Sequence, residues 1–149
     1  MIGKQNKKTT FTPARGKVAK RKQMAAIKRY YSVNPKRNNP LNFVTVLLKR
    51  HGDNKGGHHH VILDDIDDKH VSVGLTTQKK KGKNSTNYNC KSDVLGNGKI
   101  SYMRRQGTVD RKENYFEPKS GKMTKEAYDQ AQIYGDRAKQ KYLAQKKEE

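Results

Sequence analysis

His70-Val71-Ser72-Val73-Gly74-Leu75 (HVSVGL) runs directly into Thr76-Thr77-Gln78-Lys79. Val71, Val73 and Leu75 alternate with His70, Ser72 and Gly74, which is the two-residue period of a strand. Upstream, His60–Leu63 (HVIL) reads as a second strand and Phe43–Leu48 (FVTVLL) as a buried one, because both runs are apolar and β-branched. Asp64, Asp65, Asp67 and Asp68 lie between two of these strands and read as an acidic turn. Gly52–Gly57 reads as a turn or loop. Downstream, Gln78–Tyr88 is a polar loop and Gly96-Asn97-Gly98 marks a turn. Ile100–Met103 starts another strand that Thr108-Val109 continue, and Tyr115-Phe116 precede Pro118. Thr124 is a good N-cap for a helix, with Ala127, Ala131 and Tyr134 at helical steps. Gly135 interrupts that pattern and ends the packed part. The expected fold class is therefore mainly β with a C-terminal helix, a small barrel or sandwich.

The chain has 149 residues and 17.1 kDa, the size of one domain. Its 34 Lys and Arg against 14 Asp and Glu give a formal charge of +20, and hydrophobic residues make up only 31%. A charge so one-sided favours a polyanionic partner, most simply nucleic acid. Residues 1–37 hold twelve of the cations and no carboxylate, hence +12 of the +20. Met1–Gly16 reads as an unstructured arm and Lys17–Tyr31 offers a helix. Asn34-Pro35 and Asn39-Pro40 bracket a stop. The expected divisions are a basic N-terminal arm over 1–38, the β domain with its helix over 39–138, and a polar, fraying tail over 139–149. No run approaches the roughly 20 apolar residues of a membrane helix, and no signal peptide is visible. The single cysteine, Cys90, excludes an intrachain disulfide and suits a cytoplasmic location.

Several clusters could carry chemistry. Asp64–Asp68 fails the EF-hand pattern and reads as a turn rather than a cation site. His58, His59 and His60, with His51 and His70, suggest zinc, but consecutive strand residues point to opposite faces, so no metal or other cofactor is expected. A histidine at a strand start also suits proton transfer near neutral pH. Thr76, Thr77 and Gln78 precede Lys79, Lys80, Lys81 and Lys83, and hydroxyls beside cations suit phosphates. Arg104 and Arg105 follow another strand, with Arg111 shortly after. Lys20, Arg21, Lys22, Lys28 and Arg29 add contacts from the arm. Tyr30, Tyr31, Tyr88, Tyr102 and Tyr115 are candidates for stacking on bases.

From Phe43 to Tyr134 the order of these pieces resembles the MazF/PemK (Kid-like) toxin family. Three blocks carry the likeness: His58-His59-His60-Val61-Ile62-Leu63; Val71 through Thr76-Thr77-Gln78-Lys79; and Arg104 or Arg105 through Thr108-Val109-Asp110-Arg111, a Gly121-Lys122-Met123 turn and Thr124-Lys125-Glu126. The resemblance implies an SH3-like barrel that forms a homodimer, cleaves single-stranded RNA without a metal, and commonly pairs with an antitoxin protein. It maps the family's catalytic Thr to Thr76 and its strand Arg to His58. On that reading His58 or His59 is the acid or base, Thr76 contacts the scissile phosphate, and Arg104 or Arg105 stabilises charge. The alternative is a non-catalytic nucleic-acid-binding protein on the same barrel that relies on the basic arm. An inhibitor competing for nucleic acid is a third reading.

Overall fold

The computed structural model describes residue 22 and residues 41–50, 57–83 and 85–147. Among the described residues the domain is built from six strands, a 3-10 turn (Lys112–Asn114) and a long helix: β1 (Leu41–Lys49), β2 (His58–Ile66), β3 (Lys69–Thr76), β4 (Tyr88–Asn89), β5 (Tyr102–Arg111), β6 (Tyr115–Thr124) and α1 (Lys125–Lys147). The strands form one antiparallel sheet in the order β4-β5-β3-β2-β1-β6. The mainly β expectation holds. The expected barrel, however, is an unclosed sheet with β4 and β6 as its edges. The loop after β4 reaches across the gap, where the Lys122 N–H donates to the Val94 carbonyl over 3.1 Å.

Alternation puts one face of each strand into the core. Val44, Val46, Val61, Val73, Leu75, Met103 and Met123 are buried with Ala127, Ala131 and Tyr134 of α1. β1 is thus half-buried rather than fully buried, because Phe43 and Thr45 point outward. Thr124 caps α1 as expected, its hydroxyl accepting from the Ala127 N–H at 3.2 Å. Small residues let the helix lie close to the sheet. A Cβ on Gly107 would fall 2.5 Å from the Tyr134 carbonyl oxygen, and one on Gly135 would fall 2.5 Å from Leu63 Cδ1. Gly135 is therefore a packing position, and it is the last buried residue of α1, so the packed part ends there as expected while the helix runs on to Lys147.

Two further expectations change. Gly121-Lys122-Met123 is not a turn; it lies in β6, where Gly121 pairs with Val44. Pro118 is tolerated there because β6 is an edge strand and the residue falls in a bulge between the Val46–Lys119 and Leu48–Phe116 pairs. Residues 139–147 do not stand apart as a tail; they are the last turns of α1. Lys139 pairs with Asp64 at 2.7 Å and Lys146 with Asp67 at 2.7 Å, while the Tyr142 hydroxyl donates to Asp67 at 2.8 Å. The acidic turn is the dock for the helix end. No described helix is long and apolar enough to cross a membrane.

Candidate nucleic-acid interface

Strand register decides which candidate residues meet. Thr76 lies opposite Tyr102 of β5, and Gly74, two residues earlier, lies opposite His60 of β2. Residues two apart share a face, so Thr76, Gly74 and His60 belong to one face, and continuing the same register sets His58 opposite Thr76. Arg104 joins them through a bulge. Between the Val73–Gly107 and Leu75–Met103 pairs, Gly74 alone faces Arg104, Arg105 and Gln106. A Cβ on Gly74 would lie 3.3 Å from His60 Nε2 and 3.4 Å from Arg104 Cγ, so the bare glycine is the floor on which the ring and the arginine stem rest.

His60 is held from behind. Its Nδ1 shares a hydrogen bond of 2.9 Å with the Ser72 hydroxyl, which shares another of 2.9 Å with the Tyr115 hydroxyl. The Tyr115 ring stands edge-on to both His60 and His70. Burial pushes the Tyr115 phenol up to about 12, so it stays protonated within this chain. Tyr115 was a stacking candidate, but at 7% exposure its ring is committed to this cluster and has no free face for a base.

The polar loop is tightly folded. Lys80 and Thr86 bridge, the Asn87 N–H donates to the Lys79 carbonyl, and the Asn87 side chain donates to the Gln78 carbonyl. The Thr76 hydroxyl accepts from the Gln78 N–H at 3.1 Å. The buried Asn87 thus pins a loop whose Thr77, Gln78, Lys79, Lys80, Lys81 and Lys83 all face solvent. Between this loop and the β5 bulge lies a cleft of about 600 Å³ lined by Lys81, Thr86, Asn87, Arg104, Arg105 and Thr108 among others, with no carboxylate. Lys79, Lys80, Lys81, Lys83 and Arg104 form no ion pair with any described residue.

Not every candidate converges on this face. His59 turns the other way from His58 and His60, pairing with Leu48 of β1. Burial, then the nearby Lys119, lowers its pKa below the ordinary 6.5, which favours the neutral ring. Arg105 leaves Arg104 for the helix side, donating to the Thr86 carbonyl at 3.0 Å and the Tyr134 hydroxyl at 3.4 Å. Its guanidinium also sits 5.8 Å from the Tyr88 ring, which is itself partly buried against the core. Arg111 lies opposite Lys69, nine residues along β5 from Tyr102, hence about 30 Å from the Thr76 end. It faces Glu113 at 3.5 Å and is not part of the cleft. Of the arm candidates Lys22 is exposed, whereas Lys20, Arg21, Lys28, Arg29, Tyr30 and Tyr31 lie outside the described residues. His51 does too.

Sequence reasoning weighed His60 only as a zinc ligand and passed over it as a catalytic residue, although period two already placed it on the same face as His58. It also passed over Thr86 and Asn87, whose role depends on how the loop folds back. The fold and this face define a small antiparallel-sheet protein with a cationic cleft beside paired histidines. Compared with known protein families, curated protein sequences and solved structures, the chain matches none.

Proposed function

We propose that the protein binds single-stranded RNA in the cleft between the polar loop and β5 and cleaves it there, as the MazF/PemK resemblance implies. The single observation that carries this reading is the register that gathers Thr76, Arg104, His60 and, by continuation, His58 on one face beside unpaired cations. Phosphates are held by just such groups, cations with neighbouring hydroxyls. In the reaction, a histidine accepts the proton of the ribose 2′-hydroxyl as that oxygen attacks phosphorus. The 5′-oxygen leaves with a proton from a second acid. Arg104 and the Thr76 hydroxyl face the charge that develops on the phosphoryl oxygens. The products are a 2′,3′-cyclic phosphate and a 5′-hydroxyl. On this reading the sheet is an opened SH3-like barrel, the chain acts as a homodimer in the cytoplasm, and an antitoxin covers the same face.

The test is incubation of the full chain with long single-stranded RNA in EDTA, beside the Thr76→Ala/Arg104→Ala variant. Discrete fragments with cyclic phosphate ends are expected, formed at least about a hundredfold more slowly by the variant. Intact RNA with salt-sensitive retention would overturn cleavage and leave a non-catalytic binder using the same cations.

A further inference from the structure

A second cleft, of about 340 Å³, opens on the other side of the β5 bulge, between β5 and α1. Its lining includes Arg105, Gln106, Tyr134, Arg137, Lys141 and Tyr142, and no carboxylate. Arg137 and Lys141 are four residues apart on α1, a spacing at which like charges repel. Arg105 brings a third cation from the strand. Within the cleft wall, Nε and Nη2 of Arg137 are buried and have no hydrogen-bond partner. A guanidinium does not give up its proton in a protein, so buried N–H groups left unpaired carry a full desolvation cost. One bound oxyanion relieves both penalties, because its oxygens accept the planar fork while its charge offsets the three cations. The carboxylate that touches the lining residue Tyr142 is already neutralised, since Asp67 accepts from the Tyr142 hydroxyl at 2.8 Å and pairs with Lys146 at 2.7 Å. The half-buried Tyr142 ring adds flat apolar surface of the kind on which a base or ribose rests.

We propose that this cleft is a phosphoryl-binding site for a nucleoside phosphate, with Arg137 as its anchor and Lys141 and Arg105 as its flanking charges. Arg105, Gln106 and Gly107 line both clefts, so a strand leaving the first passes into the second over Arg105. The phosphoryl group therefore comes either from that strand or from a free nucleotide. The strand source rests on the RNA reading above, and the free-nucleotide source does not.

The test uses the full chain with ¹⁵N-labelled arginine side chains. The Nε–H signal of Arg137, assigned by its absence in Arg137→Lys, is followed while inorganic phosphate and then adenosine monophosphate are added. A saturable shift, with the nucleotide binding more tightly, is expected. A signal unmoved by either probe at millimolar concentration overturns the site, whatever the protein does to RNA. The second arm compares a tetranucleotide and a decanucleotide of RNA on the wild type and on Arg137→Gln, with thermal melting as the check on folding. A loss of about tenfold on the longer strand alone assigns the phosphoryl group to the strand. A nucleotide-induced shift with both strands unaffected assigns it to a free nucleotide. An equal loss on both lengths means that Arg137 acts through the general field or the fold, and overturns the proposal. If Arg137→Gln does not fold, Arg137→Lys replaces it; it keeps the charge but loses the planar fork.

Discussion

The β2–β3 hairpin has two electrostatically opposite ends. At its turn Asp64, Asp65, Asp67 and Asp68 gather, and each meets a cation or a histidine: Lys139, then His70 and Lys112, then Lys146, then Lys69. At its open end Thr76 leads into Lys79–Lys83 with Arg104 beside them, and no described carboxylate answers them. A charge of +20 is thus not spread over the molecule. Residues 1–37 carry twelve of those charges, and within the described domain charge is cancelled where the helix end docks and left bare where the cleft opens. Bare cations in a concave site concentrate the potential that attracts a polyanion, whereas the matched ones are spent on holding the helix.

That contrast is broken most severely by putting a carboxylate into the bare end. Arg105→Glu removes one cation shared by both clefts and adds an anion. RNA affinity is expected to fall about a hundredfold. The slope of log affinity against log salt should become shallower by about 1.4, the change for two charges on a single strand. Lys139→Glu makes the same change in net charge at the matched end and should leave RNA affinity within about twofold, because Lys139 lines neither cleft and its charge is already met by Asp64. Filter binding at several salt concentrations separates the two. Equal losses would mean that only net charge matters and that the cleft has no special place.

A smaller effect is expected from breaking the matched end. Asp64→Asn with Asp67→Asn removes the partners of Lys139, Tyr142 and Lys146 at once. Hydrogen exchange should quicken in residues 139–147 and stay unchanged in Ala127–Tyr134, which are held by the core instead. Binding of a tetranucleotide should be unaffected. Uniform exchange along α1 would show that the acidic turn does not hold the helix end.

The same contrast explains what could be read from the sequence. HVSVGL was legible because period two is local, and the Thr124 cap because it acts over three residues. Strand β6 was hidden by Pro118 and Gly121, which look like turn formers unless the strand is known to lie at an edge with a bulge. The end of α1 was hidden because Lys139 finds Asp64 across 75 positions of chain. Thr76, Arg104 and His58 were legible as candidates through order and residue type. Their meeting on one face, and the departure of His59, Arg105 and Arg111 from it, follow from register and from the three-against-one bulge at Gly74. The helical stripe Tyr134, Arg137, Lys141, Gln145 was not singled out from the sequence, because it gains meaning only when β5 supplies the opposite wall.

The least of the expected effects is on stability against pH, and it too divides the molecule. Burial first, and Lys119 next, hold His59 below 6.5 in the folded state, so the unfolded chain takes up that proton first. Stability from this group is fully present above 6.5 and is lost as pH falls through the lower folded value. The carboxylates behave differently. Hydrogen bonds from Lys139 to Asp64, from His70 to Asp65 and from Lys146 to Asp67 hold all three below their ordinary 3.8. Their contribution persists down to 3.8 and is lost as pH falls through the folded values. Urea midpoints measured against pH should therefore decline in two separate shoulders, both shallow because these groups are largely exposed and screened. His59→Gln should erase the upper shoulder and leave the lower. Asp64→Asn with Asp67→Asn should shrink the lower and leave the upper. If either variant moves both shoulders, the two regions are coupled through the sheet, and the division between a matched end and a bare end is not an independent one.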